Sequence, residues 1–134
     1  MRPRTDVTFP ERHQRPHANS PLCHETARKY PARLLDEDRS PTDLPGVAVW
    51  GDGTTVLRCG VTPLRPTPDP CFTVNGVDWV LDEARSKGEE KVLTTYGRVP
   101  AIEVIFSGTS ATPGDGLVDL SGAIGGIPQQ RRCL

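Results

Sequence analysis

The stretch "CFTVNGVDWVL" (Cys71–Leu81) decides the fold. Asn75-Gly76 supplies two residues that accept positive φ at the centre of a type I′ turn, whose twist matches that of paired strands. If the chain reverses there, Val74 meets Val77 and Phe72 meets Trp79 on one face, while Thr73 and Asp78 oppose each other on the other. Turn chemistry and hydrophobic register agree, and together they predict a β-hairpin. The rival reading makes Asn75-Gly76 a bulge inside one long strand.

Working outward, "VAVWGDGTTVLRC" (Val47–Cys59) reads as two strands joined by a glycine-rich turn. "KVLTTYGR" (Lys91–Arg98) and "AIEVIF" (Ala101–Phe106) form a second pair around Gly97 and Pro100, with Ile102, Val104 and Phe106 alternating with Glu103 and Ile105. Before the strands, Ser20-Pro21 is a helix start: a hydroxyl to accept from an orphan N–H, then a proline where no donor is needed. Cys23, Ala27, Tyr30 and Leu34 follow at helical spacing, and Pro31 stops or kinks the helix near Tyr30, with a further turn expected through "ARLLDED" (Ala32–Asp38). After the strands and a polar loop, Asp115 is placed to cap a short helix in which Leu117, Leu120 and Ile124 share a face, ending before Pro128. The expected fold class is α+β: a small antiparallel sheet with an N-terminal and a C-terminal helix packed on one face, stapled by disulfides. Residues 1–19 read as a flexible tail in which "VTF" (Val7–Phe9) is an edge-strand candidate, and 20–134 as a single domain.

Composition narrows the function classes. The 134 residues leave room for one domain, and with 35% hydrophobic and 5% aromatic residues the core is modest. Sixteen basic and seventeen acidic side chains are interspersed and nearly cancel to −1, so the concentrated positive field that nucleic acid requires is missing. No apolar run approaches the roughly 20 residues of a membrane span. The opening "MRPRTDVTFPERHQRPH" has charge without an apolar h-region and does not read as a signal peptide, so no export signal is visible.

Four cysteines allow three complete pairings. No Cys-x-x-Cys signals a redox site or a zinc ribbon. The nested pairing, Cys59–Cys71 with Cys23–Cys133, is the most economical: one bridge closes the loop containing Pro63, Pro66, Pro68 and Pro70, and the other ties the first helix to the chain end. Such staples support a small core and belong to an oxidising compartment.

The ordered blocks "CHETARKYP" (Cys23–Pro31), "WGDGTTVLRCGV" (Trp50–Val61), "CFTVNGVDWVL", "TTYGRVPAIEV" (Thr94–Val104), "DLSGAI" (Asp119–Ile124) and the final Arg132-Cys133 resemble the domain of unknown function 3515 family over about Val7 to Cys133. The resemblance implies an exported protein of high-GC Gram-positive bacteria, whose relatives carry an N-terminal membrane segment or lipoprotein signal. It brings no activity with it.

Candidate chemistry is sparse. His13, His17 and His24, the last beside Cys23, are the metal-binding alternative, but they lie in or beside an arginine-rich tail and would compete with a disulfide for Cys23. Asp78 and Glu103 are the acid–base pair of a hydrolase-like alternative, set against a plain role on the wet face of a sheet. No nucleophile elbow, phosphate loop or dinucleotide fingerprint is present, and no cofactor is implied. Trp50, Arg58, Asp78 and Arg98 are the binding candidates, with Trp50 and Trp79 as core pillars the competing reading. The expectation is an extracytoplasmic, non-catalytic module that binds a protein or cell-envelope component through the polar sheet face and the proline loop.

Overall fold

A computed structural model describes residues 14–108 and 113–133. The Val7–Phe9 strand and His13 lie outside the described residues. The chain runs α1 (Pro21–Ala27), β1 (Arg33–Leu34), β2 (Glu37–Ser40), β3 (Val47–Trp50), β4 (Thr55–Val61), β5 (Cys71–Val74), β6 (Val77–Leu81), β7 (Lys91–Thr95), β8 (Ala101–Phe106) and α2 (Pro113–Ile124). All eight strands join one antiparallel sheet in the order β1-β2-β3-β4-β8-β7-β6-β5. Two four-stranded meanders thus lie side by side, joined by β4 against β8.

The deciding hairpin forms with the expected register: Val74 opposite Val77, Thr73 opposite Asp78 and Phe72 opposite Trp79. Asn75 and Gly76 take φ of 47° and 82°, the two positive values of a type I′ turn. The β3–β4 and β7–β8 pairs also form as read. The sheet is larger than the small one expected. "ARLLDED" makes no helical turn; it folds as the β1–β2 hairpin, reversing at Leu35 and Asp36 with φ of 51° and 65°. Pro31 denies the helix its continuation, and pairing with β3 takes up the backbone groups of β2.

Ser20 caps α1, its hydroxyl accepting from the Leu22 amide at 3.2 Å. Helix α2 begins at Pro113, so Asp115 sits in its first turn, where a negative charge favours the helix dipole. Leu117, Leu120 and Ile124 of α2 and Cys23 of α1 join Trp50, Leu57, Trp79 and Ile102 in one buried cluster. At Gly116 α2 lies close against the sheet, since a Cβ there would lie 2.7 Å from the Phe106 ring. The Ser121 hydroxyl donates to the Val74 carbonyl at 3.0 Å and pins α2 to β5.

The cysteines pair as Cys23–Cys59 and Cys71–Cys133, each with Cα atoms 5.7 Å apart, and the nested pairing is wrong. The cause is topological. Strands β8, β7 and β6 separate β4, which carries Cys59, from β5, which carries Cys71. At about 4.8 Å per strand that is roughly 19 Å, far beyond the span of about 7 Å that a disulfide tolerates. The two cysteines also face opposite sides, because Cys59 is level with Ile102 and Cys71 with Val80.

The same topology explains the prolines. Residues 62–70 must travel from β4 across three strands to the far edge of the sheet. Nine residues rich in proline, at about 3.1 Å each in the extended form that proline favours, bridge that gap without needing backbone partners for every residue.

Candidate functional site

Strand alternation gives the sheet two faces. Trp50, Leu57, Cys59, Trp79 and Ile102 lie on the core face. Arg58, Glu103, Thr94, Val80 and Asp78 lie on the second face, and the last four are at most 5% exposed. The covering comes from loops: the proline loop, the 82–90 turn that carries Arg85, and a C-terminal strap over 129–133.

The four residues singled out from the sequence fall in different places. Trp50 is fully buried on the core face, with Nε1 donating to the Pro31 carbonyl at 3.0 Å. Tyr30 meets it edge-on at 6.2 Å between ring centroids, and the Arg39 guanidinium lies 5.5 Å and 6.0 Å from the Tyr30 and Trp50 rings. Burial pushes the Tyr30 phenol up, so it stays neutral.

Arg58 and Glu103 are opposite each other on β4 and β8. Arg58 Nη1 donates to Glu103 Oε1 at 3.0 Å, and Arg85 Nη1 to Oε2 at 2.5 Å. One carboxylate, 1% exposed, is therefore held between two guanidinium groups.

Asp78 accepts from the Thr73 hydroxyl at 2.5 Å, the Cys133 amide at 2.8 Å and Gln129 Nε2 at 3.0 Å. Burial alone would raise its carboxyl, but the bonds from Thr73, Cys133 and Gln129 and the field of Arg132 hold it below its ordinary value. Asp78 anchors the strap beside the Cys71–Cys133 bridge.

Arg98 is 5% exposed and works as an internal clamp. Its Nη1 donates to the carbonyls of Gly125 and Ile127 beyond the end of α2, and its Nη2 to the Gly76 carbonyl at the hairpin turn. A cation suits the C-terminal end of a helix, where unpaired carbonyls collect.

Asp78 and Glu103 do not converge. Strand β7 lies between theirs, and each is engaged by its own donors. The described residues hold no group of three or more His, Cys, Asp or Glu arranged for a metal ion, and Cys23 is committed to its disulfide. None of the described helices is long and apolar enough to cross a membrane.

Three hollows lie along the proline loop. One hollow of about 390 Å³ is lined by Thr62–Pro68. A second, of about 270 Å³, lies between Pro63–Arg65, Gly97–Val99 and Gln130–Arg131. A third, of about 200 Å³, has Thr67, Asp69, Val80 and Tyr96 in its wall and the Cys71–Cys133 bridge at its rim. The first shares Pro63–Arg65 with the second and Pro66 and Thr67 with the third. The second and third have the loop on one side and the strap on the other, so the run of hollows forms a groove walled by the loop throughout and by the strap along part of its length. The strap is tightly seated: Gln130 donates to the Gly97 carbonyl at 2.7 Å, and any Cβ on Gly97 would run into the Arg131 carbonyl. With φ of 81° besides, Gly97 has no tolerable substitute.

A family model described as "Protein of unknown function (DUF3515)" matches residues 3–132. The chain belongs to the DUF3515 family. The DUF3515 match takes in the proline loop and the strap as far as Arg132, and it agrees with the resemblance carried by the sequence blocks. No curated protein and no solved structure matches the chain. Sequence reading of this DUF3515 member passed over Arg65, Arg85, Arg131 and the strap. The one signal that pointed to the strap was Cys133, because a cysteine next to the chain end is a sign that the end is fastened.

Replacing Asp78 with Ala leaves the Cys133 amide, Gln129 and Thr73 without their shared acceptor. The expected loss is about 1–3 kcal/mol, with faster amide exchange at Gln130 and Cys133 and slow exchange retained in β8. Unchanged protection of the strap would contradict the anchoring role. The same contact fixes a pH response. The folded carboxyl lies below its unfolded value of about 4, so its contribution is complete above that value and fades as pH falls through the lower folded value.

Proposed function

We propose that this protein is a non-catalytic, extracytoplasmic binding module of the cell envelope, which grips a protein or envelope component in the groove along the proline loop. The observation that carries the reading is the groove itself, whose two walls are tied together at the Cys71–Cys133 bridge. Binding sites are concave and largely preformed, and a wall fixed by a disulfide loses little entropy on binding. Two disulfides among four cysteines suit an oxidising compartment. Asp78 and Glu103, which catalysis would need, are taken up by structural partners.

The test is co-sedimentation of the intact purified protein with envelopes isolated from its host. Retention is expected to be saturable, and to fall about ten-fold for a variant carrying Leu64→Asp and Thr67→Glu, as for an interface losing its central contacts. Both residues line the groove and neither belongs to the buried core. Absence of retention, or equal retention of the two proteins, would overturn the reading.

A further inference from the structure

Of the three hollows, the one between the proline loop and the strap has a distinctive charge. Its lining includes Arg65, Arg98 and Arg131, with Gln130 beside them and no acidic residue. In a chain whose charges cancel to −1, three guanidinium-bearing residues around one hollow are a local excess. Two of them, Arg65 and Arg131, are exposed and make no ion pair among the described residues. Arg132 borders the neighbouring hollow, which also holds Asp69, and its field falls on Asp78. Even with Asp69 and Asp78 set against the four arginines, the balance is positive.

The second observation concerns Arg98. It is 95% buried, lines the hollow, and spends both terminal nitrogens on carbonyl oxygens, yet its Nε finds no acceptor. A buried N–H of a cation without an acceptor is costly, and burial correspondingly lowers the pKa of Arg98. An anion held in this hollow brings compensating charge next to that guanidinium.

We infer that this hollow binds a phosphate group, either free or as a phosphate ester on a larger envelope component. Guanidinium forks match tetrahedral and planar oxyanions alike, but three cations and no acid favour a group carrying about −1.5 to −2 charges over a single carboxylate. Arg65 and Arg131 close on the phosphate oxygens from the two walls, and Arg98 supplies charge from below. The inference deepens the binding-module reading and rests on it for its setting in the envelope.

The test is titration of the intact, oxidised, ¹⁵N-labelled protein with inorganic phosphate, glycerol 3-phosphate and acetate at constant ionic strength. Inorganic phosphate and the ester are both expected to give saturable shifts of the Gly97, Gln130 and Arg131 amides and of the Arg98 Nε–H, with acetate at least about ten-fold weaker. Tighter binding of the ester assigns the source to an esterified component, and equal binding assigns it to free phosphate. Arg65→Gln with Arg131→Gln, both at exposed positions, is expected to weaken phosphate about ten-fold or more without altering the amide spectrum of β8. Linear shifts spread over exposed arginines generally, no shift at all, acetate as tight as phosphate, or an unaffected double variant would each overturn the inference. If envelopes retain the protein through the loop while phosphate fails to bind, the binding-module reading stands and this inference falls. If phosphate binds while envelopes do not retain the protein, the reverse holds.

Discussion

Replacing Cys23 and Cys59 together with alanine is expected to lower the unfolding free energy by about 4 kcal/mol from loop entropy alone. The bridge closes 36 residues, and both cysteines are at most 1% exposed in the core cluster. The alanines also leave a cavity, which adds about 1 kcal/mol. A domain of this size commonly has about 5–15 kcal/mol in total, so the variant is expected to lie at or near the edge of unfolding at 37 °C. The effect has a structural target. Cys59 sits on β4, the strand that joins the two meanders through β8, and Cys23 brings α1 onto that seam. Urea unfolding with the Cys71–Cys133 bridge intact measures the difference, and a loss below about 1.5 kcal/mol would show that the core holds without this staple.

Removing the Glu103 carboxylate is expected to have the next largest effect. Glu103→Ala leaves Arg58 and Arg85 facing each other across a void on the second face of the sheet. Breaking a buried ion pair commonly costs about 3–5 kcal/mol. Arg58 and Arg85 remain 18% and 25% exposed and recover some solvent, which reduces the expectation to about 3 kcal/mol. Glu103→Gln keeps the shape and one acceptor and is expected to lose about 2 kcal/mol. A double change of Glu103→Leu and Arg58→Met is expected to recover much of the loss, because Arg85 is then left with the buried Asp82, 3.9 Å away, as its partner. Denaturant midpoints at constant slope measure all three. A loss under about 1 kcal/mol for Glu103→Ala would mean that the network behaves like a surface pair.

What could be read from the sequence depended on whether local chemistry and long-range packing agreed. At Asn75-Gly76 they did, since the turn sets the register and the register places Val77 and Trp79 in the core. At Leu35-Asp36 only the aspartate is a residue type that tolerates positive φ, and Pro31 with the two leucines suggested a kinked helix where a hairpin forms. The disulfides turned on strand order. Cys59 and Cys71 are neighbours along the chain, but β8, β7 and β6 come between them in the sheet, and economy of loop length carries no information about that. The candidate residues divide in the same way. Trp50 proved to be a core pillar, as its size and apolar setting allowed, whereas Asp78 gained its role from the strap and Arg98 from carbonyls beyond α2 and at the hairpin turn, groups that only the folded chain brings within reach. The groove was legible only as its proline wall. Its other wall comes from the far end of the chain, and proximity across that distance is set by topology.

Covalent bridging of a sparse core is the central claim, and the thiol state of the protein in its host tests it most directly. Cells are quenched in acid, free thiols are alkylated, and the protein is weighed intact and then mapped as peptides without reduction. The structure predicts no adducts before reduction and four after it, with Cys23 linked to Cys59 and Cys71 to Cys133. Alkylated cysteines in the quenched sample, or a peptide joining Cys59 to Cys71, would contradict it.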